Sequence, residues 1–330
     1  MIISKTPLRI SFAGGGTDLP SFCRCNDFGA VLSASISNYI YVTVKNHPAF
    51  FGEKFRLNYS ETELVDDVDD IKNPIIRECI KFLQIDDRIY ISTIADVVSS
   101  SGLGSSSSFC VGLLNALYKY KGEVVSPGRL AEEAAIIEID ILKRPIGKQD
   151  HYAAAFGGLN YIRFNNDDSV TIRPIATKVK TVEKLFNSML SFWTGVSRPA
   201  ESILEEQNKN NKINAETLIL MRDQADRLME MICKDNFSID EFGKIMHEGW
   251  MMKRKLTSKI SNETIDRYYS IARKNGAIGG KISGAGGGGF LNVIAHEADH
   301  GRIKKAMEAA GLMTCKFNLD SAGTTVTHFV

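Results

Sequence analysis

Apolar residues recur at two different spacings along the chain, and these spacings separate strand-rich from helix-rich parts. In the first half, Ile36 to Lys45 and Ile89 to Ile94 combine β-branched and aromatic residues with partial alternation, which predicts two strands. In the second half the predicted helices are Ala215 to Lys234, Ser238 to Leu256, Asn262 to Lys274 and Glu297 to Ala310, and the predicted strands are Lys281 to Ser283, Phe290 to Ala295, Met313 to Leu319 and Thr324 to Phe329. Because strands and helices are segregated rather than alternating, the pattern favours an α+β fold.

Two amphipathic helices are predicted between the two strands of the first half and the helical middle of the chain. The first follows the segment SSSGLGSSSS and ends before Gly122. The second begins at Ser126-Pro127, because Ser is a preferred N-cap residue and Pro is favoured in the first turn. The apolar residues at helical spacing are Phe109, Leu113, Ala116, Leu117 and Tyr120 in the first helix, and Leu130, Ala134, Ile137 and Ile141 in the second.

The length of the chain indicates about two domains. It has 330 residues, and ~150 residues per domain is a fair prior. We place the boundary in the segment 180–191, so the predicted domains are residues 1–185 and residues 186–330.

Composition and charge exclude several classes of partner. The chain is 44% apolar and 24% charged, with 40 Lys and Arg against 39 Asp and Glu and a net charge of +1. Because this balance creates no overall basic field, we expect neither nucleic acid nor a membrane surface as a partner, and any anion needs a local site. No apolar run approaches the ~18 residues of a membrane span, and Lys5, Pro7 and Arg9 interrupt the pattern of a signal peptide. We therefore expect a cytoplasmic protein.

Three segments concentrate glycine: Ala13 to Asp18, Ser101 to Ser108, and Ser283 to Gly289. For the segment Ala13 to Asp18, a tight turn explains the glycines about as well as a ligand site does. The second is more informative because it follows a predicted strand and opens a predicted helix whose first residues are serines. The unpaired N–H groups and the dipole at such a helix N-terminus bind phosphate. Serine hydroxyls in this position either cap the helix or coordinate Mg²⁺.

A zinc-peptidase motif is matched near the C-terminus and supplies a hypothesis from a different class. His296 and His300 satisfy the HExxH spacing, and zinc peptidases need both histidines on one face of a helix. The residues before His296 have a strand pattern, so we expect His296 at the helix cap, with Glu297 and Asp299 as first-turn acids favoured by the dipole.

Four motifs together resemble the GHMP kinases, the superfamily of galactose, homoserine, mevalonate and phosphomevalonate kinases. They are Pro7 to Asp18, Gly102 to Ser106, Gly147 to Gly158, and Lys281 to Gly289. The resemblance implies an α+β N-terminal domain, a ferredoxin-like C-terminal domain and an active site in the cleft between them. It also implies ATP and Mg²⁺ as cofactors and transfer of a phosphoryl group to the hydroxyl of a small molecule.

The resemblance further assigns roles to individual residues. Asp150 would be the general base, and Arg9 would stabilise charge between the acceptor oxygen and the γ-phosphate. Ser106 and Glu138 would bind Mg²⁺, with Asp140 as the competing carboxylate; counted at about 100° per residue, Glu138 falls at the edge of the apolar stripe of its helix. The residues expected to hold the nucleotide phosphates are Ser101, Gly102, Leu103, Gly104, Ser105, Ser106 and Ser107.

Within the superfamily, the loop composition is most similar to the bacterial D-glycero-D-manno-heptose 7-phosphate kinases. This similarity implies phosphorylation of the anomeric hydroxyl to the 1,7-bisphosphate, for nucleotide-sugar synthesis; a fucose-type or other neutral-sugar 1-kinase is the alternative. Galactokinases carry Glu-His where this chain has Gly15-Gly16, which we interpret as room for a larger acceptor. The distal phosphate of the sugar phosphate would need a cation, for which we expect Arg198. The residues expected to contact the acceptor are Gly15, Gly16, Thr17, Asp18, Arg198, Gly284, Ala285 and Gly286.

Overall fold

The first of two sheets collects strands from both ends of the chain. A computed structural model describes residues 1–234 and 237–329. The strands of this sheet are β1 (Ile2–Ala13), β2 (Phe28–Asn46), β3 (Phe55–Asn58), β4 (Thr62–Val65), β5 (Ile89–Ala95), β6 (Leu159–Asn165), β7 (Val170–Pro174) and β12 (Thr325–His328). Six of these strands lie side by side in the order β12-β1-β2-β5-β3-β4, and β6 and β7 extend the sheet from β2. β2 pairs with β6 through its first half and with β5 through its second, and β6 also pairs with β7.

The second sheet has four antiparallel strands from the second half of the chain. They are β8 (Met189–Trp193), β9 (Gly279–Ile282), β10 (Phe290–Ile294) and β11 (Met313–Cys315). They lie in the order β11-β8-β10-β9, with helices after β8 and after β10. This order and connectivity are those of a ferredoxin-like unit. The predicted two-domain α+β architecture is therefore confirmed.

The four helices predicted after residue 214 begin and end within three residues of the predicted bounds, whereas no prediction covered the helices Val179–Asn187 and Glu201–Asn210. The helices of the chain are α1 (Pro20–Cys23), α2 (Pro74–Phe82), α3 (Ser105–Tyr120), α4 (Pro127–Ala135), α5 (Gln149–Phe156), α6 (Val179–Asn187), α7 (Glu201–Asn210), α8 (Ala215–Cys233), α9 (Ile239–Lys253), α10 (Glu263–Lys274) and α11 (Glu297–Ala309). Within the described ranges, no helix combines the length and the apolar character that a bilayer crossing requires.

The end of the chain returns to the first sheet. β12 pairs with β1, with Ile2 opposite His328, and α8 packs on β1 and β2. The predicted boundary at residue 185 precedes β8, but this last strand lies apart from the second sheet. The division into residues 1–185 and 186–330 therefore stays a prediction.

Helix α3 carries the second glycine-rich loop and is fixed against β1. A Cβ on Gly112 would lie 2.5 Å from Oγ1 of Thr6, so only glycine permits this approach. The hydroxyl of Ser108 donates a hydrogen bond to the carbonyl of Pro7, at 2.9 Å. Because α3 is almost wholly buried along its length, its N-terminus is held in a rigid position beside β1.

A π-helical turn, Ile136–Ile141, follows α4 and corrects the predicted apolar stripe. Ile141, expected on the buried face, is 42% exposed, whereas Glu138, expected at the edge, is completely buried. The prediction for Ile141 is wrong because it assumed about 100° per residue throughout, and a π-helix closes i→i+5 bonds with more residues per turn. The wider turn rotates Glu138 inward.

Candidate active site

A cavity of about 650 Å³ lies where β1, the N-terminus of α3, the start of α5 and α7 meet the third glycine-rich loop. It brings together most of the residues that the sequence predicted. Those lining it are Arg9, Gly15, Gly16, Asp18, Gly102, Gly104, Ser105, Ser106, Ser107, Glu138, Asp150, Gly284 and Ala285. Segments more than 250 residues apart in the chain therefore share one site.

The second glycine-rich loop ends in a helix N-terminus that faces the cavity. Gly104 is the N-cap residue of α3 and has a φ of 77°, a left-handed conformation that favours glycine. The N–H groups of the first turn, from Ser105 onward, have no partner within the helix. Of the predicted loop residues, Ser101 and Leu103 are buried behind the loop, and the carbonyl of Leu103 accepts a hydrogen bond from the backbone N–H of Arg9.

Arg9 joins the candidate base to this loop. Its Nε donates to Oδ1 of Asp150 and its Nη2 to Oδ2, both at 2.6 Å, which makes a bidentate ion pair. Its Nη1 donates to the carbonyl of Gly102, also at 2.6 Å. Arg9 is only 4% exposed because β1 holds it inside the first sheet. A Cβ on Gly104 would lie 3.2 Å from Oδ2 of Asp150, so the carboxylate touches the phosphate loop.

Glu138 and Ser106 form a second charged group at the helix N-terminus. The hydroxyl of Ser106 donates to Oε1 of Glu138 at 2.5 Å, and Nη1 of Arg144 lies 2.5 Å from that hydroxyl oxygen and 2.6 Å from Oε1. His151 Nε2 lies 2.8 Å from Oε2. Burial alone would raise the pKa of Glu138, but His151, Ser106 and Arg144 outweigh it and lower the pKa to about 2. Asp140, the competing carboxylate, is exposed.

Asp18 is buried and already has protein partners. Its Oδ1 accepts from Nε2 of Gln149 at 2.9 Å and from the backbone N–H of Gly16 at 3.2 Å. A Cβ on Gly147 would lie 2.0 Å from Oδ2 of Asp18, so glycine is required there. Burial and then the charge of Asp150 raise the pKa of Asp18, against the opposing hydrogen bonds of Gln149. The side chain still lines the cavity.

The third glycine-rich loop packs on the second, and this packing decides which of its residues reach the cavity. A Cβ on Gly289 would lie 2.2 Å from the carbonyl oxygen of Ser101, and one on Gly284 would lie 2.7 Å from that of Gly102. Gly284 and Ala285 line the cavity. Gly286 instead lies against Ile260, where a Cβ would be 2.7 Å from the carbonyl oxygen.

Two other predicted acceptor contacts also lie away from the cavity wall. The hydroxyl of Thr17 donates to the carbonyls of Gly14 and Ala30, at 2.8 and 3.0 Å, and so shapes the first loop. Arg198 is exposed and is not among the described residues that line the cavity. Its predicted contact with a distal phosphate therefore has no support from its position.

Sequence reasoning missed several residues of the site. Lys253, at the end of α9, lines the cavity and donates to the carbonyl of Gly284 at 2.5 Å. Burial and then the charge of Arg9 lower its pKa to about 8, although Asp18 and Asp150 act in the opposite direction. Gln207, Arg144 and His151 were missed as well. Gln207 and Arg144 stand next to other polar residues, Glu206 and Lys143, so no local pattern singles them out.

The HExxH match does not form a zinc site. His296 is the N-cap residue of α11, as predicted, so it lies outside the helix that carries His300. Nε2 of His296 lies 3.0 Å from Oδ1 of Asp240, and Nε2 of His300 lies 3.4 Å from the carbonyl oxygen of Ala295. Across residues 1–234 and 237–329, no group of three or more His, Cys, Asp and Glu could hold a metal ion. The zinc-peptidase hypothesis thus finds no support.

Two family models match the chain. The GHMP kinases N terminal domain matches residues 74–158, and the GHMP kinases C terminal domain matches residues 228–311. The first match contains the phosphate loop, Glu138 and Asp150. The second contains the third glycine-rich loop and Lys253.

Individual relatives are similar over most of the chain. The D-glycero-alpha-D-manno-heptose 7-phosphate kinase of Campylobacter jejuni is 31% identical over 306 residues, which is 88% of either chain. The L-fucokinase/L-fucose-1-P guanylyltransferase of Bacteroides fragilis is 25% identical over 226 residues, 66% of this chain and 23% of that protein. Among solved structures, a D-glycero-D-manno-heptose 1-phosphate kinase from Bacteroides thetaiotaomicron superposes with a TM-score of 0.83, at 24% identity and complete coverage of both chains.

Proposed function

This chain belongs to the GHMP kinase family and is a sugar kinase, and we propose that its acceptor is D-glycero-D-manno-heptose 7-phosphate, phosphorylated at the anomeric hydroxyl. The product would be the 1,7-bisphosphate, a precursor of a nucleotide sugar. One observation carries the choice of acceptor: the chain is 31% identical, over 88% of both lengths, to a kinase named for this substrate. The cavity of about 650 Å³ lies within the usual range of small-molecule sites, about 300–1,000 Å³.

The N-terminus of α3 would hold the phosphates of the nucleotide. The loop from Gly102 to Ser107 presents N–H groups to the cavity, and the helix dipole adds positive potential there. Gly102 and Gly104 have φ values of 81° and 77°, so the backbone can approach a phosphate without a side chain intervening. Ser101 and Leu103 would support the loop from behind.

The Mg²⁺ that GHMP kinases generally use with ATP fits the pair formed by Ser106 and Glu138. The two oxygens already share one cationic group, Nη1 of Arg144, and the low pKa of Glu138 keeps its carboxylate ionised. One or two protein oxygens are enough, because Mg²⁺ usually completes its shell with water and substrate phosphates. When bound, the ion would neutralise charge on the β- and γ-phosphates.

Asp150 would orient the acceptor hydroxyl and accept its proton. Each of its oxygens accepts one hydrogen bond from Arg9, which leaves a further lone pair on each for the acceptor. The rigid bidentate contact fixes the carboxylate beside the phosphate loop, where the acceptor oxygen must lie to attack in line. Arg9 then carries its positive charge next to the group that is transferred.

Asp18 would accept a hydrogen bond from a sugar hydroxyl. Gln149 and Gly16 already donate to its carboxylate, so the side chain is held in one orientation at the cavity wall. A fixed acceptor discriminates among hydroxyl configurations better than a mobile one does.

ADP formation over a panel of acceptors tests the proposed function. The panel contains D-glycero-D-manno-heptose 7-phosphate, the unphosphorylated heptose, L-fucose, D-galactose, mevalonate and homoserine. We expect the highest kcat/KM with the heptose 7-phosphate, and a new phosphorus NMR signal coupled to the anomeric proton. A higher kcat/KM with L-fucose would instead establish the neutral-sugar 1-kinase, the alternative that the Bacteroides fragilis relative supports. Activity with mevalonate or homoserine alone would contradict both.

A further inference from the structure

The space beside Gly15 and Gly16 is not empty, contrary to the interpretation made from the sequence. A Cβ on Gly16 would lie 2.2 Å from Nε2 of Gln207. A Cβ on Gly15 would lie 3.8 Å from Nζ of Lys253 and 3.9 Å from Nζ of Lys281. Side chains from the second half of the chain therefore fill the place that a larger residue would take, and all three end in N–H donors.

These donors have unused hydrogen-bonding capacity. Gln207 is 1% exposed, lines the cavity, and its Nε2 has no hydrogen-bond partner in the described part of the chain. Lys253 donates to the carbonyl of Gly284, and Lys281 donates to Oγ of Ser11 at 3.3 Å. An ammonium group has three donors, so each lysine has capacity to spare.

Neither lysine has a counter-ion in direct contact among the described residues, although the more distant charges of Asp18 and Asp150 act to raise the pKa of Lys253. The two lysines are 4% and 5% exposed, and no carboxylate of the described residues lies within the 4.0 Å of an ion pair from either ammonium. Burial lowers the pKa of both, and the second-largest cause is the charge of a neighbouring cation: Arg9 for Lys253, and Lys253 for Lys281. Buried cations that repel each other are normally paired with an anion or lose a proton. A bound dianion would supply the missing charge.

We infer that Lys253, Lys281 and Gln207 form a subsite for the phosphate group that the acceptor sugar already carries. This inference rests on the proposed function, because it takes the acceptor to be a sugar phosphate. Lys253 and Gln207 line the cavity, whereas Lys281 is not among the described residues that line it and would contribute through the position of its ammonium group near Gly15. Gly16 leaves the space that the amide of Gln207 occupies, since a Cβ there would lie 2.2 Å from its Nε2.

Two other assignments fit the structure less well. Arg198, the residue expected from the sequence, is exposed and lies outside the cavity wall. The transferred phosphoryl group would already have Arg9 and the N-terminus of α3 beside it. Nζ of Lys253 lies 3.8 Å from the position of a Cβ on Gly15, in the first loop, while the carbonyl of Gly284 that it contacts belongs to the loop packed on the phosphate loop.

Lys253→Met tests the subsite, because methionine keeps the length of the side chain and removes its charge. We compare kinetics and calorimetric binding for D-glycero-D-manno-heptose 7-phosphate and the unphosphorylated heptose. A hydrogen bond to a charged group accounts for ~10- to 100-fold in binding. We therefore expect KM and Kd for the heptose 7-phosphate to rise about 10- to 100-fold, with little change for the heptose or for ATP. Lys253→Arg should recover part of the loss. Lys255→Met, on an exposed lysine two residues away, is the matched control.

A second variant covers the case in which Lys253→Met does not fold. Gln207→Leu removes the unpartnered amide without changing charge, and should also weaken only the phosphorylated acceptor. Equal losses of kcat with both acceptors would assign Lys253 to the transferred phosphate and overturn the inference. The inference would also be overturned if Arg198→Ala, and not Lys253→Met, weakened binding of the phosphorylated acceptor alone. The wild-type enzyme tests the proposed acceptor separately from the subsite. If it uses both acceptors with equal kcat/KM, or uses no sugar phosphate, the proposed acceptor itself is wrong.

Discussion

Replacing Glu138 with Gln would separate the charge of this residue from its shape. Glutamine is isosteric, so it can still accept hydrogen bonds from Ser106 and Arg144 through Oε1. What it loses is the negative charge, which in the wild-type protein is completely buried beside His151 and Arg144. We expect two effects: a less stable fold at neutral pH, and a higher Mg²⁺ requirement.

The size of the stability effect follows from the pKa of Glu138. A decrease from 4.5 to about 2 means that folding favours the ionised form by roughly 3 kcal/mol, at ~1.4 kcal/mol per pKa unit. No discount for solvent screening applies, because the side chain is completely buried. Since the folded-state pKa is the lower one, this stabilisation is fully present above the unfolded-state value of 4.5 and is lost as the pH falls towards 2. The wild-type protein should therefore lose this advantage over Glu138→Gln in acid.

Urea denaturation at pH 7 and at pH 3.5 measures the difference. We expect Glu138→Gln to unfold with about 3 kcal/mol less free energy at pH 7, and the gap to narrow by about 1 kcal/mol at pH 3.5. A Mg²⁺ titration of activity at fixed ATP should shift by about tenfold or more, since even outer partners of a metal ligand affect affinity by ~10–100-fold. The control is Asp140→Asn, which changes an exposed carboxylate of the same π-helical turn. This reasoning would be refuted if the free energies of unfolding of the wild-type protein and Glu138→Gln differed by less than about 1 kcal/mol at pH 7. It would also be refuted if only Asp140→Asn shifted the Mg²⁺ titration.

Three further substitutions test the other parts of the site. Asp150→Asn should lower kcat by ~10²–10⁴-fold in steady-state assays and leave calorimetric ATP binding nearly unchanged, because a base acts mainly in the transition state; more than half of the wild-type rate would exclude the role. Arg9→Lys should lower kcat/KM by about tenfold or more, since one ammonium cannot reproduce three directed contacts; wild-type kinetics would contradict this. Gly16→Ala should raise KM for the acceptor by displacing Gln207, whereas Gly122→Ala, also at positive φ but with nothing within 4 Å, should change only the melting temperature. Equal acceptor kinetics in both glycine variants would count against the contact.

Much of the site was predictable from sequence because its chemistry is encoded in local loops. The serine-rich segment before α3 identifies a helix N-terminus, and Gly102 and Gly104 adopt the positive φ values that such a loop requires. The resemblance to the GHMP kinases pointed to Asp150, which stands seven residues before a Gly-Gly pair as in the family motif, and Asp150 lines the cavity. Each of these motifs lies within a short stretch of sequence, so it can be recognised without knowing how the two sheets pack.

The residues that sequence reasoning missed or misplaced depend on packing over long distances. Lys253 and Gln207 lie on helices whose pattern is ordinarily amphipathic, and they become part of the cavity only because α7 and α9 approach the first loop. The burial of Glu138 depends on a π-helical turn, which the 3.6-residue periodicity does not indicate. The residues around Arg198, with two hydroxyls and a glycine, favoured a phosphate contact, but this local sequence does not indicate that the side chain is exposed and outside the cavity lining.

The distribution of charge within the site distinguishes its two ends. At the phosphate loop, Arg9 is paired with Asp150 and Arg144 with Glu138, so that end is balanced before any ligand binds. At the first loop, the acceptors that the described residues offer Lys253 and Lys281 within hydrogen-bond distance are neutral, and the charges of Asp18 and Asp150 act on Lys253 only from farther away. A chain with a net charge of +1 has no surplus of cations to place at random in its interior, and unpaired buried lysines are unfavourable in the free enzyme. The proposed acceptor would bring a negative charge to these two lysines, whereas a neutral sugar would bring none.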